Sequence, residues 1–269
     1  SRTLGEALQD LPTVSVRDAP ARLSVGAASS SFARDGNTGI NIRGLGGNRV
    51  LMTVDGVRLP RSYVSRSAIF DREYLSLELF KRIEVIRGPA SALYGSDGMA
   101  GVVNFVSYDP LDFLLDAQGK PTRTVGGRVA AGWSEDDRGY SLAGTVAGKA
   151  SDTVQWMLSA NRRTAHALQT MGRNGEPNAN RTAANPEHDG DTAVLAKVVV
   201  QPGAAQRHVF SLEHTDRAAN TELLSSRAAR PTRASDVVAA SSDYSAQRDR
   251  FSWDARYELR TAWADQVRT

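Results

Sequence analysis

The stretch "VRLPRSYVSRSAIFDREY", Val57 to Tyr74, holds Arg58, Arg61, Arg66 and Arg72 together with Tyr63 and Tyr74. A guanidinium pairs a carboxylate through two parallel hydrogen bonds. A tyrosinate oxygen can serve iron as an axial ligand. The same composition also describes a solvated basic loop with Tyr63 packed on its own domain. The four histidines, His166, His188, His208 and His214, show no metal-motif spacing. His208 and His214 share a parity along one strand but stand roughly 20 Å apart, too far for one ion. His166 and His188 flank a long polar segment, where they could touch a ligand on the outer surface, although a lone loop histidine is ordinarily just solvated.

No catalytic constellation is present. There is no G-x-S-x-G, no P-loop and no H-E-x-x-H, and "GLGG" at Gly44–Gly47 lacks dinucleotide-binding spacing. The chain therefore reads as a non-enzyme. It has no cysteine, which excludes disulfides, thiolate metal sites and cysteine catalysis. Its 33 Lys and Arg are scattered among 30 Asp and Glu, so no nucleic-acid footprint emerges. The opening residues, Ser1 to Leu4, lack a signal-peptide pattern. No run of about 18 apolar residues occurs, which excludes a transmembrane helix but not a membrane β-barrel, whose strands alternate.

The elements that position these residues divide into two kinds. Up to about residue 117 the chain reads as mixed α and β. "TLGEALQDLP" has a candidate N-cap at Thr3, Glu6 three residues on, and a stop at Pro12. "GINIRG" and "RVLMTVDGVRL" read as strands, with Asp55-Gly56 a further turn signal. "REYLSLELFKRIEVIRG" reads as an amphipathic helix with Leu75, Leu79 and Phe80 apolar, ending in a strand from Ile83 to Ile86. "GVVNFVS" reads as another strand.

From Gly126 onward, period-2 alternation takes over. "RFSWDARYELR" places Phe251, Trp253, Ala255, Tyr257 and Leu259 on one face, with Arg250, Ser252, Asp254, Arg256 and Glu258 on the other. Six strands are expected, at about 124–134, 138–149, 153–165, 191–202, 206–217 and 247–262. Tight and long connections alternate after the first, as in outer-membrane barrels. A soluble sandwich would alternate too. If the sheet is a barrel, these strands are its N-terminal part, and the last is an edge that wants a partner.

"NIRGLGGNRVLMTVDGVRLP" and "LELFKRIEVIRGPASALYGSDGMAGVVNFVS" resemble the two plug signatures of TonB-dependent outer-membrane receptors. The resemblance implies an α+β plug over 1–117, followed over 118–269 by antiparallel transmembrane strands of an incomplete barrel, about 22-stranded in this family. It also gives the glycines of the second signature a purpose. Pro89 would open a helical turn over Ala90–Tyr94, Gly95 would cap it, and Gly98 and Gly101 would permit close backbone approach.

The lead-in to the second signature looks most like the haem and haemoglobin receptor branch; a ferric-siderophore receptor is the alternative. The resemblance implies location in the outer membrane of a Gram-negative bacterium, contact with its lipid, coupling to the TonB energy complex, and import of haem, free or from haemoglobin. Haem would be cargo, with no cofactor required. The TonB box normally precedes the plug, and no convincing copy is seen here. By resemblance, the plug's outward apex is the loop after Asp55-Gly56. Tyr63 would then contact or ligate haem, Arg61 or Arg66 would hold propionate, and Arg58 and Tyr74 belong to the same apex. Arg43, Glu84 and Arg87 would pair with charges of the barrel wall. A plug histidine, common in haem receptors, is absent from this loop. The rival of a different class is a soluble binding module with a β-sandwich C-terminal half.

Overall fold

The computed structural model describes residues 4–16, 39–65, 68–70, 74–90, 96–259 and 265–268. Helix α1 (Leu4–Leu8) buries both its leucines, which lie one turn apart. Strand β1 (Val14–Val16) pairs antiparallel with β2 (Ile40–Ile42), and β2 with β3 (Leu45–Gly46). A 3-10 turn over Gly47–Arg49 leads into β4 (Val50–Val54), buried along its whole length. Asp55 and Gly56, with φ of 51° and 84°, then turn the chain into β5 (Val57–Arg58). Positive φ at both central residues is the type I′ hairpin that an Asp-Gly pair favours. A two-stranded hairpin follows, β6 (Tyr63–Ser65) with β7 (Ala68–Phe70). Strands β8 (Phe80–Arg87) and β9 (Gly101–Ser107) complete a sheet ordered β5-β4-β9-β8, in which β4 and β9 run parallel.

The helix expected before Ile83 is only a 3-10 turn over Leu77–Leu79, and the strand begins at Phe80. Pairing of Phe80 with Ser107 and contact of its ring with Phe105 at 5.2 Å bury it better than a helix face would. The helical turn expected over Ala90–Tyr94, and Gly95, fall almost wholly outside the described residues. Gly101 behaves as expected. A β-carbon there would lie 2.2 Å from the Ile86 carbonyl oxygen and 2.9 Å from Ile42 Cδ1, so glycine is what lets β8, β9 and β2 meet.

A short helix α2 (Leu111–Leu114) leads to the second sheet. Strands β10 (Val125–Ser134), β11 (Gly139–Lys149), β12 (Val154–His166), β13 (Glu187–Gly203), β14 (Gln206–Glu222), β15 (Ser241–Glu258) and β16 (Gln266–Arg268) form an antiparallel meander in chain order. All six expected strands are present. Strands β13, β14 and β15 extend beyond their expected limits at the end that carries the long connections 167–186 and 223–240. The two sheets share one core: Ala147, Met157, Ala193 and Leu195 of the meander cluster with α1, β2, β4 and β9 of the N-terminal domain. Packing at the junction is tight, since a β-carbon on Gly126 would lie 2.0 Å from the Phe113 carbonyl oxygen.

Candidate functional site

The two faces of the meander are inverted relative to a soluble sheet. On the outer face Val129 is 80% exposed, Phe251 69%, Trp133 67% and Leu212 58%. On the covered face Glu213 is 2% exposed, Ser211 4%, Lys197 6% and Arg250 7%. Water would select the opposite arrangement. Aromatic rings collect outside towards the short-turn end. Phe210 and Trp253 stack at 6.0 Å, and His208 meets Tyr257 edge-on at 5.4 Å. An outward apolar band with aromatic groups at its edge, around a polar interior, is the pattern of a membrane barrel wall. This disfavours the soluble sandwich.

The polar interior grips the N-terminal domain through one buried ionic seam. The β4–β5 turn projects Asp55 onto the wall. Its carboxylate accepts the Ser107 N–H at 2.9 Å and the Ser107 hydroxyl at 2.5 Å. From the wall come Arg250 at 3.1 Å and Lys197 at 3.6 Å. Arg250 also donates to the Val54 carbonyl at 3.2 Å and, through Nε, to Glu213 at 3.0 Å. Arg248 pairs with the other Glu213 oxygen and lies 5.7 Å above the centroid of the Tyr74 ring. Three cations thus face two carboxylates. Burial pushes the Asp55 pKa up, but the Lys197 charge, the Ser107 hydrogen bonds and Arg250 outweigh it and hold the group below the usual carboxylate range. Other ties flank the seam: Arg207 with Asp109, Arg128 Nη1 with the Tyr108 hydroxyl at 3.1 Å, and Asn161 Nδ2 with Ser76 Oγ at 2.6 Å.

The sequence-derived ligand residues separate into groups. Arg58 and Arg61 converge on Asp97: Arg61 Nε lies 3.1 Å from one carboxylate oxygen and Arg58 Nη1 3.7 Å from the same atom. Asn48 and Ser62 exchange two hydrogen bonds, at 2.9 and 2.8 Å, and hold the start of the loop down. Tyr63 opens β6. Arg66 and Arg72 lie outside the described residues. Tyr74 is at the wall seam beside Arg248, apart from the Arg58–Arg61–Asp97 group.

The wall-contact candidates have partners within their own domain. Arg87 Nη1 donates to the Pro12 carbonyl at 3.1 Å. Glu84 accepts from Asn104 at 3.0 Å and Arg82 at 2.8 Å, bonds that lower its pKa. Arg43 sits in the left-handed β2–β3 turn, its N–H bonded to the Thr13 carbonyl at 2.9 Å. The described wall strands are reached by Asp55, Asp109, Ser76, Glu78 and Tyr108. A cleft of about 1330 Å³ remains between domain and wall, lined by Lys81 and Glu84 on one side and Arg207, Arg256 and Arg268 on the other. Asp55 read in the sequence only as a turn residue. The available signal was Lys197, a lone charge within "TAVLAKVVVQ", and Glu213 within "HVFSLEH".

Residues 1–102 match the family model of the TonB-dependent Receptor Plug Domain. The match spans the N-terminal 102 of the 269 residues, and that part of the chain is similar to such a plug. The hemin receptor of Yersinia enterocolitica is 32% identical over 124 residues, covering 46% of this chain and 17% of that protein. The heme/hemopexin utilization protein C of Haemophilus influenzae is 38% identical over 112 residues, covering 42% and 13%. The chain therefore matches less than a fifth of the length of these relatives. In fold it is similar to the FrpB iron transporter from Neisseria meningitidis, with a TM-score of 0.71 at 18% identity over 99% of this chain and 37% of that one. It is also similar to a mutant ferric enterobactin receptor from Pseudomonas aeruginosa, at 0.61 and 17% over 97% and 40%. The architecture is a plug followed by antiparallel strands as in TonB-dependent receptor structures. Among the described residues no helix is long and apolar enough to cross a membrane.

Proposed function

We propose that this chain is the plug, to about residue 117, and the first wall strands of an outer-membrane receptor that imports haem, free or from haemoglobin, with energy supplied through TonB. The observation that carries the haem reading is the pair of relatives named for hemin and for heme/hemopexin use, matched at 32% and 38% identity. Haem would meet the loop from Val57 to Tyr74. Tyr63 supplies a phenolic contact or axial ligand, and Arg66 a propionate partner. Arg58 and Arg61 join once an incoming carboxylate competes with Asp97 for them. Tyr74 then relays ligand arrival to the wall, because its ring lies beneath Arg248 of the ionic seam.

Traction on the plug parts the Asp55 seam, which holds position through charge pairs that can separate and re-form. In a longer receptor, further wall strands would meet Arg43, Glu84 and Arg87. A ferric siderophore is the second reading, favoured by the absence of any histidine before His166. A Soret-band titration of the full-length receptor in detergent, beside a panel of ferric siderophores, separates the two. Saturable haem binding whose spectrum changes in Tyr63→Phe supports the reading. An unchanged spectrum removes Tyr63 as ligand, and binding of a siderophore alone overturns haem as cargo.

A further inference from the structure

Spacing along the chain gave His166 and His188 no shared role, yet the extended strands bring them face to face. The β12–β13 ladder runs without a break from Val154↔Val200 to His166↔His188. Both side chains have the outer-face parity of Trp156, Leu158 and Val198, and His166 is the next outward-facing residue after Thr164, whose partner Tyr140 pairs in turn with Trp133 at the edge of the apolar band. Their Nδ1 atoms are 3.3 Å apart, with ring centroids at 4.9 Å and planes inclined by 51°. Two imidazole nitrogens bound to one ion at about 2.0–2.1 Å, with a tetrahedral angle between them, lie about 3.3 Å apart. The backbone around the pair is pinned: the His166 N–H donates to the Asp137 carbonyl at 2.9 Å, and the Ala167 N–H to the Glu187 carbonyl at 3.2 Å. The main chain that carries the two rings is therefore fixed, and side-chain rotation is the freedom left to be lost on binding.

We propose that His166 and His188 form a two-histidine site for a late first-row divalent cation, Cu²⁺, Ni²⁺ or Zn²⁺, with water completing the coordination. Among the described residues no third histidine or carboxylate joins them in a group that could hold a metal, so the site is open and exchangeable. Imidazole suits these ions, and Cu²⁺ binds tightest in the ordinary affinity order. Without metal, one Nδ1–H donates to the other Nδ1. Binding moves that proton to Nε2 of the same ring, a change of tautomer with no net proton release. The site is separate from the proposed haem loop and stands or falls independently of it.

The test is titration of the metal-stripped, full-length receptor in detergent with Cu²⁺, Ni²⁺ and Zn²⁺, by calorimetry, with the Cu²⁺ form read by electron paramagnetic resonance. His166→Gln, His188→Gln and the double variant are run beside it, each checked for heat-modifiable mobility as a sign of a folded barrel. The expected result is one equivalent of Cu²⁺ with a two-nitrogen signature. Each single variant weakens binding about tenfold or more, and the double variant loses that equivalent. Absence of bound metal in the unsubstituted receptor overturns the proposal, as does binding that the folded double variant retains unchanged.

Discussion

Asp55 serves two purposes that the sequence does not connect. With Gly56 it satisfies the type I′ turn, and its carboxylate joins Lys197 and Arg250 of the wall. Asp55→Ala would leave three buried cations facing Glu213 alone. Loss of one partner from a buried pair costs about 3–5 kcal/mol. The urea midpoint at which the plug becomes open to protease should fall accordingly, and less in Asp55→Asn, which can keep a hydrogen bond with Ser107. The pH dependence has a defined sign. A carboxylate whose pKa is lowered by folding contributes stability above its unfolded value and loses it as pH falls through the folded value. The plug should stay latched at about pH 5 and loosen below about pH 4, and Asp55→Asn should flatten that part of the profile. At Gly101, substitution by Ala drives a β-carbon to within 2.2 Å of the Ile86 carbonyl oxygen. Separation of β8 from β9 should cost about 2–3 kcal/mol, read as a lower plug unfolding midpoint.

At the scale of elements, the wall strands are defined by which face meets lipid. Leu158→Arg, on the outer face, should cost about 2–4 kcal/mol if it lies near the bilayer midplane. Loss of heat-modifiable mobility at lower temperature would show it. Ser252→Arg, on the covered face of β15, should disturb that mobility far less. The strands were legible because Trp156, Leu158, Phe251 and Trp253 contrast in alternation with Gln155, Ser159, Ser252 and Asp254. The contrast vanishes beyond the apolar band, where His188, Asn220 and Asp243 make the outer face polar too. The ends of β13, β14 and β15 were therefore hidden, and with them the meeting of His166 and His188. In the plug, the strands "GINI", "VLMTV" and "GVVNFV" were legible from their apolar runs. The partners of Arg58 and Arg61 were not, since Asp97 is 36 residues from Arg61 in sequence.

At the scale of the whole molecule, an apolar-out, polar-in sheet wrapped on the N-terminal domain is the pattern of a membrane barrel wall; in the import proposed above, that domain is the moving part and the ionic seam its hold. The most direct measurement is growth of iron-starved cells that lack their own haem receptors but express the full-length receptor, with haem as the only iron source, in TonB-proficient and TonB-deficient backgrounds. Growth on haem that requires TonB is the expected result, reduced in Tyr63→Phe. Failure to grow on haem while a ferric siderophore supports growth, or growth on haem without TonB, would contradict an energy-coupled haem importer.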